Sequence, residues 1–138
     1  MNQDSLKNND YHENLAKSLQ IKLRKLIAQL PYQCELFFRG IESTTSIKTR
    51  VAYAFDLRIF FYFLTNEIDT FSFLNSKDFA NEDIEKITPI HIEKFLEYLT
   101  LYSLPHYKDP SSMITYSNNN KGKARKLSSL RSFFKYLF

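Results

Sequence analysis

Four cations fall within six residues, Lys121-Gly122-Lys123-Ala124-Arg125-Lys126, at the start of a segment whose apolar residues repeat at helical spacing. Lys and Arg in such a place neutralise phosphates, and the unpaired N–H groups of a helix start add to the attraction for an anion. Ser128, Ser129 and Ser132 are small, so this helix can approach a DNA groove closely. Arg and Asn read base edges there, at about 1–3 kcal/mol per good bidentate pair. A second segment, STTSIKTR over 43–50, offers hydroxyls and cations at another helix start. Two such ends on one side of a bundle would make an anion-binding surface. Periodicity does not say that they share a side, and the plain alternative for each is a solvated basic face.

Other chemistry finds less support. Glu93 and Glu97 share a helix face, and Glu82, Asp83 and Glu85 cluster before a helix. They read as solvated carboxylates favoured near a helix N-terminus rather than as an acid/base pair. His12, His91 and His106 have no metal-ligand spacing with one another or with Cys34. Cys34 adjoins the apolar run Leu36-Phe37-Phe38 and reads as a buried core thiol, not a nucleophile. With 2 Gly in the chain, a glycine-rich phosphate loop is nearly impossible. The nine Tyr stand among Phe and Leu and read as packing residues. No catalytic constellation, metal, cofactor or small-molecule substrate is expected.

Charge is unevenly spread. Residues 1–30 carry 5 basic and 3 acidic side chains, residues 31–110 carry 8 and 12, and residues 111–138 carry 6 and 0. A terminal block this lopsided implies a polyanionic partner, nucleic acid or an acidic membrane surface. A single Cys and an N-terminus without the order of a signal peptide give a reduced, cytoplasmic setting as the expectation. No apolar run is long enough to span a membrane.

The elements that must position these residues are helical. With 2 Gly and 4 Pro, the chain lacks the turns of a sandwich or barrel. The Asp10–Glu13 capping box predicts a helix over about 10–30, with Leu15, Leu19, Leu23, Leu26, Ile27 and Leu30 on one stripe. Pro31 opens a short helix expected to end near Gly40 as its C′ residue. The strongest helix is predicted over 46–66. Residues 67–80 read as a loop anchored by Phe71, Phe73 and Phe79, and Asn81 as the cap of a short acidic turn. Thr88-Pro89 starts a helix of about 14 residues. Residues 103–117, with two Pro, read as a loop, and a last helix runs from Asn118-Asn119-Asn120 to the end. The expected class is all-α, a compact bundle of four main helices with an additional N-terminal helix.

Three of these segments, in order, resemble the N-terminal core-binding domain of tyrosine recombinases, the phage-type integrases of the Xer kind. Residues 43–64 resemble its S-x-x-T-x-x-x-Y-x-x-D-L-x-x-F-x-x-F-L helix through Ser46, Thr49, Tyr53, Asp56, Leu57, Phe60, Phe63 and Leu64. Residues 87–99, ITPIHIEKFLEYL, resemble its I-T-x-x-x-I-x-x-F/Y-L-x-x-L helix. Residues 122–138, GKARKLSSLRSFFKYLF, resemble its closing R-K-L-S-A-L-R-S-F-F-x-Y-L helix. The resemblance covers about residues 32–138 and leaves residues 1–31 as a polar tail and amphipathic helix outside it.

The resemblance implies a SAM-like four-helix bundle that clamps double-stranded DNA together with a separate catalytic domain. By position it carries over Thr45, Ser46, Lys48, Thr49 and Arg50 at the first helix start. At the last helix it carries over Asn120, Lys121, Lys123, Arg125, Lys126 and Ser129. Most would contact phosphates and a minority would read bases. Asp56 and Arg131 also match, either toward DNA or as a structural pair inside the bundle. The family's Tyr nucleophile and its Arg, Lys and His partners would lie beyond residue 138. The expectation is therefore an excised DNA-binding domain, not itself an enzyme, that meets other recombinase protomers in the full assembly. The N-terminal helix would pack on the bundle or touch a neighbouring protomer. A helical protein-interaction module with a basic face is the second reading, and membrane-surface binding through the last helix the third.

Overall fold

The computed structural model describes residues 3–138, with side chains from residue 10. Six α-helices and one β-hairpin follow in the order α1 (Gln3–Ile27), α2 (Tyr32–Ile41), α3 (Ile47–Glu67), α4 (Asn81–Glu85), α5 (Pro89–Tyr98), β1 (Leu101–Pro105), β2 (Met113–Ser117) and α6 (Asn120–Leu137). Two single 3₁₀ turns, Asp69–Phe71 and Ser76–Asp78, lie between α3 and α4.

α3 is the axis of the molecule. Ser46 begins it, its Oγ accepting from the Thr49 N–H at 3.1 Å. Val51, Ala54, Leu57, Ile59, Phe60, Phe61, Phe63 and Leu64 are all buried. That burial covers more than one stripe, as a helix enclosed by its neighbours requires. Phe packs on Phe around it. Phe60 meets Phe95 of α5 edge-on at 5.1 Å, Phe61 meets Phe79 at 4.9 Å, and Phe133 of α6 meets Phe37 of α2 at 5.6 Å. Each buried Phe contributes about 1.5–3 kcal/mol, so these aromatics dominate the core.

The second half of α1 belongs to this core, since Leu23 and Leu26 are buried with it, as is Leu30 just past its end. The helix begins at Gln3, not at the Asp10–Glu13 box, which lies inside it. Gly40 is likewise inside α2 rather than beyond its end, and the Tyr136 ring lies where a side chain there would project. Asn81 is the first residue of α4, not its cap. The Ala80 N–H donates to Asp83 Oδ2 at 2.9 Å, and Asn81 Oδ1 instead accepts from Gln33. Phe71 and Phe79 anchor the connection as expected, whereas Phe73 is exposed. Among the described residues, Tyr102 is the one tyrosine that is fully buried.

The largest departure lies after α5, which stops at Tyr98. The segment expected to be a loop is an antiparallel hairpin pairing Tyr102 with Tyr116 and Leu104 with Ile114. Tyr102 and Leu104 point inward, while Ser103 and Thr115 join hydroxyls at 2.7 Å on the outer face. The turn is closed by the His106 N–H donating to the Ser112 carbonyl at 2.8 Å, and Asp109 Oδ1 accepts from Ser111. Pro105 and Pro110 are compatible with this because Pro105 ends a strand and Pro110 sits in the turn. No described helix is long and apolar enough to cross a membrane.

Candidate nucleic-acid interface

α6 begins on a side-chain cap, Asn119 Oδ1 accepting from the Gly122 N–H at 2.9 Å. Asn120 and Lys121 on its first turn are exposed. Lys123 Nζ donates to Thr100 Oγ1 at 2.7 Å, fastening the helix start to the end of α5. One turn further on, three of the residues expected to face DNA converge on Asp56 instead. Arg125 grips the carboxylate with two nitrogens at 3.0 and 3.1 Å, Ser129 Oγ donates to it at 2.6 Å, and Lys126 Nζ stands 3.8 Å away.

This arrangement follows from the burial of Asp56, whose side chain is 2% exposed. A carboxylate in that position requires a counter-charge and hydrogen bonds. A two-pronged guanidinium and a hydroxyl supply them. Asp56 thus pairs with Arg125 and not with Arg131, which is exposed beside an apolar groove of about 700 Å³ between α4, α5 and α6. Lys126 is 10% exposed, and burial is the main reason its pKa falls below the usual lysine value, opposed by Asp56. Arg125 keeps half of its side chain in solvent.

The residues at the start of α3 form a second, separate group. Ser46 and Thr49 bond each other through hydroxyls at 3.0 Å, and Thr45 Oγ1 donates to the Ile41 carbonyl at 2.6 Å. Arg50 turns back onto the connection it follows, donating to the carbonyls of Glu42 and Thr45. Lys48 is exposed. No hydrogen bond or ion pair joins this group to the start of α6 among the described residues. Asp56 marks where α6 is tied to α3, roughly 15 Å along the helix from Ser46.

Sequence reasoning missed the hairpin beside this region. Tyr98, Tyr102 and Tyr116 stack in series at 5.3 and 5.5 Å. Asn118 Nδ2 donates to the Leu99 carbonyl at 3.1 Å, holding the strand that leads into α6. Arg58 of α3 donates to Gln29 Oε1 at 2.9 Å and to the Pro105 carbonyl, and Gln29 in turn donates to the Tyr107 carbonyl. The signal was the alternation Tyr102, Leu104 and Ile114, Tyr116 on either side of a turn.

Elsewhere, Cys34 is fully buried and burial pushes its thiol pKa far up, so it is no nucleophile at neutral pH. His91 accepts from the Thr88 N–H at 3.0 Å, at the first turn of α5. Burial, helped by Lys94, lowers its pKa.

The architecture is that of a helical protein with one small hairpin. No protein-family model, curated protein or solved structure matches the chain.

Proposed function

We propose that this chain is a duplex DNA-binding module of the core-binding type found in tyrosine recombinases, a SAM-like bundle that itself cuts nothing. The observation that carries the reading is the start of α6, a side-chain-capped helix end in a stretch of chain, residue 111 onward, that holds 6 basic and no acidic residues. A helix start with this charge attracts phosphates through both its N–H groups and its cations. The three motif segments support it. Their apolar anchors Leu57, Phe60, Leu64, Phe95, Leu99 and Leu130 share one core. Asp56 and Arg125, each in one of these motifs, meet in one buried hydrogen-bonded cluster, which Ser129 joins where the motif has Ala.

Within this reading Lys121, Lys123, Asn120 and the solvent side of Arg125 meet the duplex, and Lys48 adds a contact from α3. Thr45, Ser46, Thr49 and Arg50 shape the start of α3, and Lys126 and Ser129 hold α6 to Asp56. The partners are double-stranded DNA and, in a larger recombinase, other protomers. Titration of a labelled duplex at low salt tests it. Binding should weaken steeply with salt, and Lys121→Ala with Lys123→Ala should reduce the logarithmic slope by about 0.9 for each phosphate no longer neutralised. No binding at low salt would overturn the proposal.

The apolar groove that includes Ile87, Ile92, Leu127 and Phe134 favours a second reading, a protein-interaction module. Such binding would be insensitive to salt and would be blocked by Ile92→Glu, whereas duplex binding would not.

A further inference from the structure

A cleft of about 270 Å³ opens between the hairpin and the start of α6, bounded by Asp56, Arg58, Tyr102, Tyr116, Arg125 and Lys126. Its walls hold three cations against one carboxylate. Asp56 accepts three hydrogen bonds from Arg125 and Ser129, and two sets of donors make no hydrogen bond with it. The Lys126 side chain is nine-tenths buried, and its ammonium is ion-paired with Asp56 at 3.8 Å but makes no hydrogen bond among the described residues. Arg58 uses Nε and Nη2 on Gln29 and Pro105, while its Nη1 makes no hydrogen bond among the described residues.

Three cations around one carboxylate leave the cleft with excess positive charge and unused N–H donors, and an anion matches both. An acceptor-rich group able to take several N–H donors at once fits best, which is the chemistry of phosphate. We propose that this cleft binds one phosphate group, and that with duplex bound the group is a phosphodiester of the DNA backbone. The second half rests on the DNA-binding reading, and the first half does not. Burial lowers the pKa of both Arg58 and Lys126, and a bound anion would act in the opposite direction. Arg58 and the hairpin thereby join an interface for which the sequence nominated only helix starts.

Amide NMR of the full chain, titrated with inorganic phosphate against chloride at matched ionic strength, tests the site. Shifts should centre on Arg58, Tyr102, Tyr116 and Lys126. Lys126→Met, which keeps the aliphatic stem, should weaken phosphate at least tenfold, whereas Lys135→Met should not. If Lys126→Met does not fold, Arg58→Gln replaces it and should also weaken phosphate. Phosphate that behaves like chloride, or that moves only residues elsewhere, overturns the site. A short duplex is then added to the wild-type chain. Movement of the same amides, reversed by phosphate, supports the phosphodiester assignment. Duplex that binds without moving them leaves the cleft to free phosphate and overturns that assignment. Duplex that does not bind at all refutes the DNA-binding reading while the phosphate shifts stand.

Discussion

Replacing Asp56 with Ala removes the centre of the cluster that joins α3 to α6. Arg125 and Ser129 lose their acceptor and Lys126 its counter-charge, and the three losses are not equal. Arg125 is 53% exposed and can turn into water, so its share of the loss is small. Ser129 is 2% exposed and Lys126 is nearly buried, so neither has water to turn to. Removing one partner of a buried ion pair costs about 3–5 kcal/mol, and the freedom of Arg125 places this case at the lower end, about 3 kcal/mol. With a urea slope of about 1.5 kcal/mol/M, the midpoint followed by helical circular dichroism should fall by about 2 M. Asp56→Asn keeps an acceptor for Ser129 and should cost about 1–2 kcal/mol. In Asp56→Ala, adding Lys126→Met should restore part of the loss, because the stranded charge is then gone. Arg131→Ala should stay within about 0.5 kcal/mol of wild type. An Asp56→Ala loss below about 1 kcal/mol, or an equal loss in Arg131→Ala, would refute the assignment of Arg125 as the partner.

Arg58→Ala should cost about 1–2 kcal/mol, since it frees the Pro105 carbonyl and Gln29 together. Hydrogen exchange should then show the hairpin amides opening before those of α3, and uniform acceleration would contradict a local role. Burial raises the pKa of Cys34, Tyr98 and Tyr102 in the folded chain. The unfolded chain therefore holds fewer protons than the folded one above about pH 9, and stability should fall as pH rises through that range. Urea midpoints between pH 7 and pH 10.5 read this directly, and a flat profile would deny the burial of these groups. A thiol reagent should label Cys34 only as fast as the chain opens. Gly40→Ala should cost stability beside Tyr136, whose ring it would displace, and become neutral or favourable in Tyr136→Ala, because Ala is the better helix former by up to about 1 kcal/mol. Additive effects of the two changes would show that the ring does not rest on Gly40.

Local rules made most helices legible. Ser46 before a run of apolar residues, Thr88-Pro89, and Asn119 ahead of a basic amphipathic stretch each mark a start that depends on near neighbours. The hairpin was hidden because Pro105, Pro110 and two Ser outweighed four alternating residues, and because its stability comes from its packing on Arg58 and Tyr98 rather than from its own turn. The start of α1 departs from expectation for a different reason. A capping box is a local pattern, and a helix can run through it.

The roles of the cations on α6 could not be separated by any rule of spacing. Lys121, Lys123, Arg125 and Lys126 look alike along the chain, and their difference lies in Asp56, some seventy residues away and on another helix. Like charges one turn apart on a helix repel, so a basic block of this density folds more readily where a buried carboxylate faces it. Asp56 meets that need at the second turn and leaves the first turn facing water. The consequence is a division of labour along a single helix: cations near Asp56 hold α6 to α3 and line the cleft, and under the proposed function those nearer Asn119 meet the duplex. A mutation in the first group should therefore disturb folding and binding together, and one at the exposed Lys121 should disturb binding alone.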